Sequence, residues 1–345
     1  MRYTGIIILL VFCLTLLLLA GCIANIVIAK MVIENIENQE NAEEPVMWSG
    51  LGMVLFSTSD NVAELSSFFS DQIDDLLANG FTDIRIDGVS TGNPAAIAIS
   101  KSAVAIAVAK GANVIWGFAK YPPLTAANWA THRQAILDNA QWAQDNGVYE
   151  LIIGNEEEMH NDDTTLTDAQ VRANMRSLAT EVQAIFTRGN VTYSTAVNGY
   201  WELDWITEGK GDIDLIGMNI YKNGDGSFSD NWETYLTNMV NAFGVNGTYI
   251  TEFGPSYISL DDYSTDEAVQ AAAVAEMIDY IKASGIERAL FFTYYDDPRP
   301  WCPAGFGVLK TDGTYRLLWN QALLNSGSVK SATISLPNTI TLLAK

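Results

Sequence analysis

Residues 149–156 read Tyr-Glu-Leu-Ile-Ile-Gly-Asn-Glu, an apolar run of strand length that closes on an amide and a carboxylate. Residues 248–254 read Thr-Tyr-Ile-Thr-Glu-Phe-Gly and have the same form. Short, nearly continuous apolar runs are typical of strands in a parallel sheet that is covered on both faces. The two stretches therefore predict two buried parallel strands, each of which delivers a glutamate, Glu156 or Glu252, at its carboxyl end.

The same alternation of short apolar runs and longer segments of helical period extends through most of the chain. The predicted strands are Gly52–Phe56, Asp83–Ile86, Asn113–Trp116, Leu151–Ile153, Val191–Ser194, Leu215–Ile220, Thr248–Ile250 and Ala289–Phe292. Helices are predicted over residues 61–78, 128–145, 167–187 and 266–283, with a brief helix after Trp201.

Eight strand-then-helix units match the size and the order of a single (β/α)8 barrel, so the predicted fold class is an α/β TIM barrel. A doubly wound open sheet is the alternative. It is disfavoured because no glycine-rich phosphate loop follows the first strand. The barrel is predicted to occupy residues 48–325, and residues 326–345 form a tail to which the sequence assigns no role.

The amino-terminal segment has the pattern of an export signal. Residues 6–20 are apolar except for one threonine, and they follow Arg2, as in a secretory signal peptide. The run Leu19-Ala20-Gly21-Cys22 resembles the bacterial lipobox, in which the cysteine is lipidated. Cys22 is therefore a candidate lipidation site.

The apolar sequence nevertheless continues past Cys22 to Ala29, which is long enough for an uncleaved membrane anchor. Residues 1–30 are thus read as either a signal peptide with a lipobox or a signal anchor. Residues 31–47 are read as an acidic linker. Under both alternatives the barrel is predicted to be exported and tethered to a membrane, outside the cytoplasm.

Composition excludes several classes of function. The formal net charge of −22 argues against a nucleic-acid partner, because phosphate binding needs clustered Lys and Arg. No group of His, Asp and Glu has the spacing of a metal site, so neither a metal nor another cofactor is predicted. The chain has 3 cysteines, and two of them lie in residues 1–30, so no disulfide framework is available.

Polar residues at the predicted strand ends are the candidate site residues, because barrels of this kind place their catalytic groups there. These candidates are Arg85, Asn155, Glu156, Asn219, Tyr221 and Glu252. Two strand-end glutamates are the pair that glycoside hydrolysis requires, since one carboxyl must hold a proton while the other is ionised. Arg85 and Tyr221 are both expected to reach Glu252, and Asn155 is expected to bond a sugar hydroxyl.

This set of residues resembles glycoside hydrolase clan A, the retaining β-glycosidases built on (β/α)8 barrels. In that clan an Asn-Glu pair ends the fourth strand and a second Glu ends the seventh, which matches Asn155-Glu156 and Glu252. The resemblance covers nearly all of the predicted barrel. It implies that Glu156 is the acid/base and that Glu252 is the nucleophile.

Two families within the clan remain open. The endo-1,3-β-glucanases are similar at Arg85-Ile86-Asp87, at Asn219-Ile220-Tyr221 and at residues 252–256, Glu-Phe-Gly-Pro-Ser, although Asp87 departs from their pattern. The cellulase and mannanase relatives usually carry histidines after the third strand and on the sixth, and this chain has none there.

Aromatic residues near the strand ends are candidates for stacking on sugar rings. The substrate-binding candidates of this kind are Trp116, Trp201, Tyr294 and Trp301. Glu157 and Glu158 are instead expected to be solvated carboxylates at a helix start.

The expected function is that of a retaining endo-β-glycosidase, which cleaves an extracellular β-linked polysaccharide by double displacement. A cell-surface glycan transglycosylase that uses the same residues is one alternative. A glycan-binding barrel without catalytic activity is another, and it is disfavoured because both glutamates are present.

Overall fold

The computed structural model describes residues 50–56, 62–90, 93–119, 124–159, 165–197, 200–222, 231–255, 267–295, 307–310 and 312–325. The predicted signal or anchor, Cys22, the acidic linker, the tail and Trp301 lie outside these ranges. Within them, no helix is both long enough and apolar enough to cross a membrane.

The described strands close into one parallel barrel in which each strand pairs with its neighbours in sequence and the last pairs with the first. They are β1 (Gly50–Phe56), β2 (Asp83–Ser90), β3 (Asn113–Ala119), β4 (Glu150–Asn155), β5 (Asn190–Ala196), β6 (Leu215–Lys222), β7 (Thr248–Pro255) and β8 (Arg288–Phe291). The predicted single (β/α)8 barrel is therefore confirmed.

Helices follow the strands and form the outer layer. They are α1 (Val62–Ala78), α2 (Pro94–Ala109), α3 (Trp129–Asp145), α4 (Asp168–Gln183), α5 (Trp201–Glu208), α6 (Trp232–Phe243), α7 (Glu267–Ala283) and α8 (Leu318–Asn325). Gly80, Gly147 and Gly285 follow the ends of α1, α3 and α7 with φ between 79° and 88°. Glycine adopts this left-handed conformation without a Cβ penalty, which explains why the helices stop there.

The sequence prediction did not include α2 or α6. Helix α2 is apolar around most of its circumference, so it shows little helical period. Its start is nevertheless specified locally. Pro94 occupies the first turn, and the Asn93 side chain accepts hydrogen bonds from the backbone N–H groups of Ala95 and Ala96, at 3.0 and 3.3 Å.

A buried ion pair fills the amino-terminal end of the barrel interior. Glu150, at the start of β4, pairs with Arg288 at the start of β8. Its other oxygen accepts hydrogen bonds from Tyr249 of β7 and, at 2.9 Å, from Thr192 of β5. The cluster ties four strands together at the end of the barrel that usually serves stability. A cavity of about 310 Å³, lined in part by Tyr249 and Arg288, opens at this same end.

Close packing between β1 and its neighbours predicts a sharp cost for substituting Gly52. A Cβ there would lie 2.7 Å from the carbonyl oxygen of Asp83 and would also meet the Leu290 side chain. Because the backbone must shift, we expect Gly52→Ala to lower the free energy of unfolding by about 2–3 kcal/mol in chemical denaturation.

Gly111→Ala is the control for that measurement. Gly111 has a φ of +88° and no atom within 4 Å of an added Cβ, so only backbone strain of about 1 kcal/mol is expected. Equal losses in the two variants would contradict the packing argument.

Candidate active site

The carboxyl ends of β2, β4, β6 and β7 bring the predicted polar residues into one cluster. Arg85, Asn219 and Glu252 are buried, with relative exposures of 0%, 2% and 5%. Asn155 and Glu156 are half-buried at the end of β4. The structure thus joins side chains from four strands in a largely water-excluded site.

Glu252 is held by two donors. The guanidinium of Arg85 lies 2.9 Å from one carboxylate oxygen, from Nη2 to Oε1. The hydroxyl of Tyr221 donates to the other oxygen, Oε2, at 2.5 Å. Both contacts favour the ionised carboxylate and fix its direction, as a nucleophile requires.

Glu156 follows β4 in an unusual backbone conformation. Its φ is 54°, in the left-handed region that residues with a Cβ rarely adopt, and its N–H donates to the carbonyl oxygen of Ser194 at 2.9 Å. The turn aims the side chain at β6, where Nδ2 of Asn219 donates to Oε1 at 2.9 Å.

The Asn219 amide is oriented by two hydroxyl groups. Its Oδ1 accepts hydrogen bonds from Ser194 Oγ at 2.9 Å and from Thr251 Oγ1 at 2.8 Å. Its NH2 group must therefore face Glu156 and Asn155, and it lies 3.1 Å from Oδ1 of the latter. Ser194 and Thr251 were not predicted as site residues. Their sequence signal is weak, because β5 reads Asn-Val-Thr-Tyr-Ser-Thr-Ala and carries several other hydroxyl side chains.

Asn155 also has a fixed orientation. Its Oδ1 accepts from Arg85 Nη2 at 3.0 Å in addition to the bond from Asn219. Because the oxygen is used twice, the NH2 group is on the opposite side of the amide and can donate to a ligand.

The two carboxyl groups share one electrostatic environment. Burial raises the pKa of Glu252 to about 8, although the charge of Arg85 acts in the lowering direction. Burial also raises the pKa of Glu156, and the hydrogen bond from Asn219 partly offsets it. Two acids this close titrate as a pair, so the donors decide which one keeps the proton.

Those donors distinguish the two glutamates. Glu252 receives a charged guanidinium and a phenol, whereas Glu156 receives a neutral amide from Asn219. Burial and the neighbouring carboxylates raise the pKa of Tyr221 well above its ordinary value, so the phenol stays a donor. The contacts of Glu252 thus favour its ionised form more strongly than the amide contact favours ionised Glu156, and this asymmetry suits a nucleophile paired with a general acid.

Glu157 and Glu158 are not solvated, contrary to the sequence prediction. Their relative exposures are 1% and 3%. Glu158 accepts hydrogen bonds from the Tyr193 hydroxyl and, at 2.9 Å each, from Thr195 Oγ1 and Trp205 Nε1. The chain forms a turn after β4 instead of starting a helix there, and the Glu158 carboxylate anchors that turn to β5 and α5.

Trp116 does not lie at the substrate face, so its predicted role in substrate binding is wrong. The side chain is fully buried on the outer face of β3. Its Nε1 donates to Ser100 of α2 at 3.1 Å, and its ring centroid lies 5.2 Å from that of Trp142 on α3. Strand parity directs this indole into the helix layer.

The structure also contradicts the prediction for Tyr294. Its ring is buried, and its hydroxyl donates to Asp75 of α1 at 2.7 Å, away from the barrel mouth. Phe292, directly after β8, is an aromatic residue that does lie beside the cluster. Its ring meets that of Tyr221 edge-on, with centroids 6.2 Å apart.

Two aromatic residues begin α5 at the carboxyl end of β5. Trp201 is half-buried and Tyr200 is 73% exposed. They are placed at the same end of the barrel as the glutamates, where flat side chains can meet a ligand. Trp301 lies outside the described residues. Within the described residues, no group of His, Cys, Asp and Glu could hold a metal ion.

No protein-family model matches the chain, and no curated protein matches it in sequence. Solved structures do match it. The catalytic domain of the major endoglucanase from Xanthomonas campestris pv. campestris is similar with a TM-score of 0.58 and 14% identity, over 83% of this chain and 96% of that one.

Two further structures show the same architecture. An endocellulase from Pyrococcus horikoshii, solved with cellotetraose, has a TM-score of 0.60 and 12% identity, over 84% of this chain and 95% of that one. An exo-β-1,4-mannosidase from Opitutaceae bacterium strain TAV5 has a TM-score of 0.63 and 12% identity, over 80% of this chain. The match spans 58% of the mannosidase. These similarities confirm the (β/α)8-barrel fold that the resemblance implied.

The raised pKa of Glu252 predicts a pH-dependent cost in stability. An acid whose folded-state pKa lies above the ordinary 4.5 binds its proton more tightly in the folded state. Its stabilising contribution is complete at low pH and is lost as the pH rises from about 4.5 to about 8. We expect Glu252→Gln to reduce this loss by roughly 1–3 kcal/mol, measured by denaturation at pH 5 and pH 8.

The matched control is Glu181→Gln on α4, a half-exposed carboxylate paired with Arg133. That variant should keep the pH dependence of the wild-type protein. A Glu252→Gln variant with the wild-type slope would contradict the electrostatic account of the site.

Proposed function

We propose that the protein is a retaining β-glycosidase in which Glu252 is the nucleophile and Glu156 the acid/base. The observation that carries the proposal is the division of donors around the two glutamates. Glu252 is bound by the charged Arg85 and by Tyr221, whereas Glu156 accepts a hydrogen bond from the neutral amide of Asn219. Asn219 is also the ladder partner of Glu252 between β6 and β7, so the asparagine that bonds Glu156 lies on the strand position next to Glu252.

The first step of the proposed reaction forms a covalent intermediate. The Glu252 carboxylate attacks the anomeric carbon and forms an ester bond while the glycosidic carbon–oxygen bond breaks. Glu156 donates its proton to the departing oxygen. Asn155, held by Arg85 and Asn219, can donate its NH2 to the sugar 2-hydroxyl, an interaction that strengthens as the ring gains positive charge.

The second step reverses the proton transfer. Glu156, now ionised, takes a proton from water, whose oxygen attacks the anomeric carbon as the ester to Glu252 breaks. Two inversions at one carbon restore the original configuration. Arg85 and Tyr221 stay bonded to the carboxylate that leaves, which stabilises its returning charge.

The proposed substrate is a β-linked glycan. The similar structures are those of an exo-β-1,4-mannosidase, an endoglucanase and an endocellulase, which supports a glycan substrate. In this chain, Tyr200 and Trp201 supply flat, accessible faces at the catalytic end of the barrel, which supports binding of an extended chain in endo fashion.

The catalytic proposal is tested by reducing-sugar release from β-1,3-glucan, mixed-linkage glucan, cellulose, mannan and galactan. We expect the full chain to act on one of these polymers, and Glu252→Gln to lose at least about a thousandfold in rate because the nucleophile is gone. Glu181→Gln is the matched control and should retain full activity.

Two readouts distinguish this mechanism from others. NMR of the first-formed product should show the β anomer, and azide should restore turnover to Glu252→Gly as an α-glycosyl azide forms. An α anomer would indicate inversion, and elongated products would indicate a transglycosylase. A well-folded wild-type protein that leaves every polymer intact would overturn the hydrolase proposal.

We further propose that the barrel acts outside the cytoplasm while tethered to a membrane. The apolar residues 6–20 and the run ending at Cys22 support this location. In a bacterial host, the protein should fractionate with membranes and incorporate labelled palmitate, and Cys22→Ser should lose the label whereas Cys13→Ser keeps it. Membrane association without label would favour an uncleaved anchor, and a purely cytosolic protein would contradict the proposal.

A further inference from the structure

Asp87 is a buried acid in the cluster for which the mechanism above has no use. It lies on β2 two residues after Arg85, and residues at that spacing share one face of a strand. Its Oδ2 lies 2.6 Å from Arg85 Nη2, closer than the 2.9 Å between the same nitrogen and Glu252 Oε1. One guanidinium nitrogen therefore serves Asp87 and the nucleophile together.

The Asp87 charge is only partly compensated. The side chain is 5% exposed, and its second oxygen, Oδ1, has no hydrogen-bond partner among the described residues. Arg85 Nε likewise has no hydrogen-bond partner among the described residues. A structural Arg–Asp pair usually uses both oxygens and two guanidinium nitrogens in parallel. Here a single contact joins Arg85 and Asp87. The remaining negative charge is buried, so its electric field acts on neighbouring groups such as Glu252.

Space for this carboxylate depends on Gly117 of β3. A Cβ at that position would lie 2.7 Å from Asp87 Oδ1 and 3.4 Å from Arg85 Nε. The adjoining strand therefore leaves room for the acid but supplies no donor to it. Apart from its bond to Arg85, Asp87 therefore acts on its neighbours through its charge.

The charges that face Glu252 are few and unbalanced in the described part of the site. Strand β2 contributes Arg85 and Asp87, β4 contributes Glu156, and β6 contributes the neutral Tyr221. One permanent cation thus faces three carboxyl groups. Tyr249 lies nearer the amino-terminal end of β7, where it raises the pKa of Arg85 and donates a hydrogen bond to Glu150.

We propose that Asp87 is a positioning residue that competes with Glu252 for Arg85 and so sets the pH at which the nucleophile becomes active. By drawing the guanidinium towards β2, Asp87 weakens the attraction that ionises Glu252. The acid thereby keeps the paired glutamates close in proton affinity, which allows the proton to move during the two steps. This inference rests on the proposed function for its meaning in catalysis, but the charge coupling can be measured without turnover.

The kinetic test compares the pH profile of kcat/KM for the full-length wild type and for Asp87→Asn, which keeps the size of the side chain. Removing the negative charge favours ionised Glu252, so the acidic limb should move to lower pH by about one to two units. A limb that stays in place or moves to higher pH would overturn the proposal.

Glu158→Gln is the matched control, since it also removes a buried carboxylate near the site but does not contact Arg85. Glu158 is bonded to Tyr193, Thr195 and Trp205 and adjoins the turn of Glu156. Its loss should act on the basic limb, which reports the acid/base, and leave the acidic limb in place. Equal shifts of both limbs in both variants would indicate a general structural effect and would contradict the assignment of Asp87.

A second measurement does not depend on activity or on one variant. Carbon-13 NMR of glutamate side-chain carboxyls, with the Glu252 signal identified by its absence from Glu252→Gln, gives the titration of that group directly. In the wild type it should titrate well above the ordinary glutamate range, and in Asp87→Asn or Asp87→Ser at lower pH. Ordinary titration in the wild type would overturn the inference even if neither Asp87 variant folds.

The two readouts separate the inference from the proposed function. A wild type that cleaves no glycan, but whose Glu252 signal shifts on loss of Asp87, would overturn the function and leave the coupling established. Turnover with no shift in either readout would establish the function and reject the coupling.

Discussion

A permanently charged guanidinium buried away from water is the constraint on which the carboxyl end of this barrel is built. Arg85 is fully buried, and burial alone would lower its pKa, but Asp87 and Glu252 raise it above the ordinary value. Nη1 donates to the carbonyl oxygen of Thr251 at 3.0 Å, so the backbone of β7 also holds it. Because a charge in this position must be satisfied from several strands, it fixes the side chains of β2, β4 and β7 relative to one another.

The two ends of the barrel differ in how completely their buried charges are paired. At the amino-terminal end, Arg288 faces Glu150, whose oxygens also accept from Tyr249 and Thr192, so the contacts are nearly complete. At the carboxyl end one cation faces three carboxyl groups, and burial raises the pKa of two of them, Glu156 and Glu252. Complete pairing serves stability, whereas incomplete pairing keeps groups titratable, which is a common property of active sites.

The sequence predicted the order of strands, the two glutamates and their polar neighbours, because apolar runs that end in polar residues report both burial and position. The sequence prediction failed for residues whose membership of the site depends on the direction of the side chain and not on the position of the residue in the strand. Trp116 and Tyr294 lie near strand ends but point into the helix layer. Glu158 follows Glu156, whose left-handed backbone turns the chain inward, and a sequence pattern of acidic residues shows no such turn. The hydroxyls that orient Asn219 come from β5 and β7, which flank β6, and the sequence pattern does not show which of their polar side chains face it.

The contact between Gly117 and Asp87 has a consequence for how this sequence can change over time. An added Cβ on β3 would meet the Asp87 carboxylate at 2.7 Å, so any larger residue at position 117 requires a smaller or differently placed one at position 87. Only a few combinations of residues at positions 87 and 117 are therefore compatible with this packing. A lineage that loses the acid becomes free to fill the neighbouring strand, and the reverse substitution is then blocked by bulk.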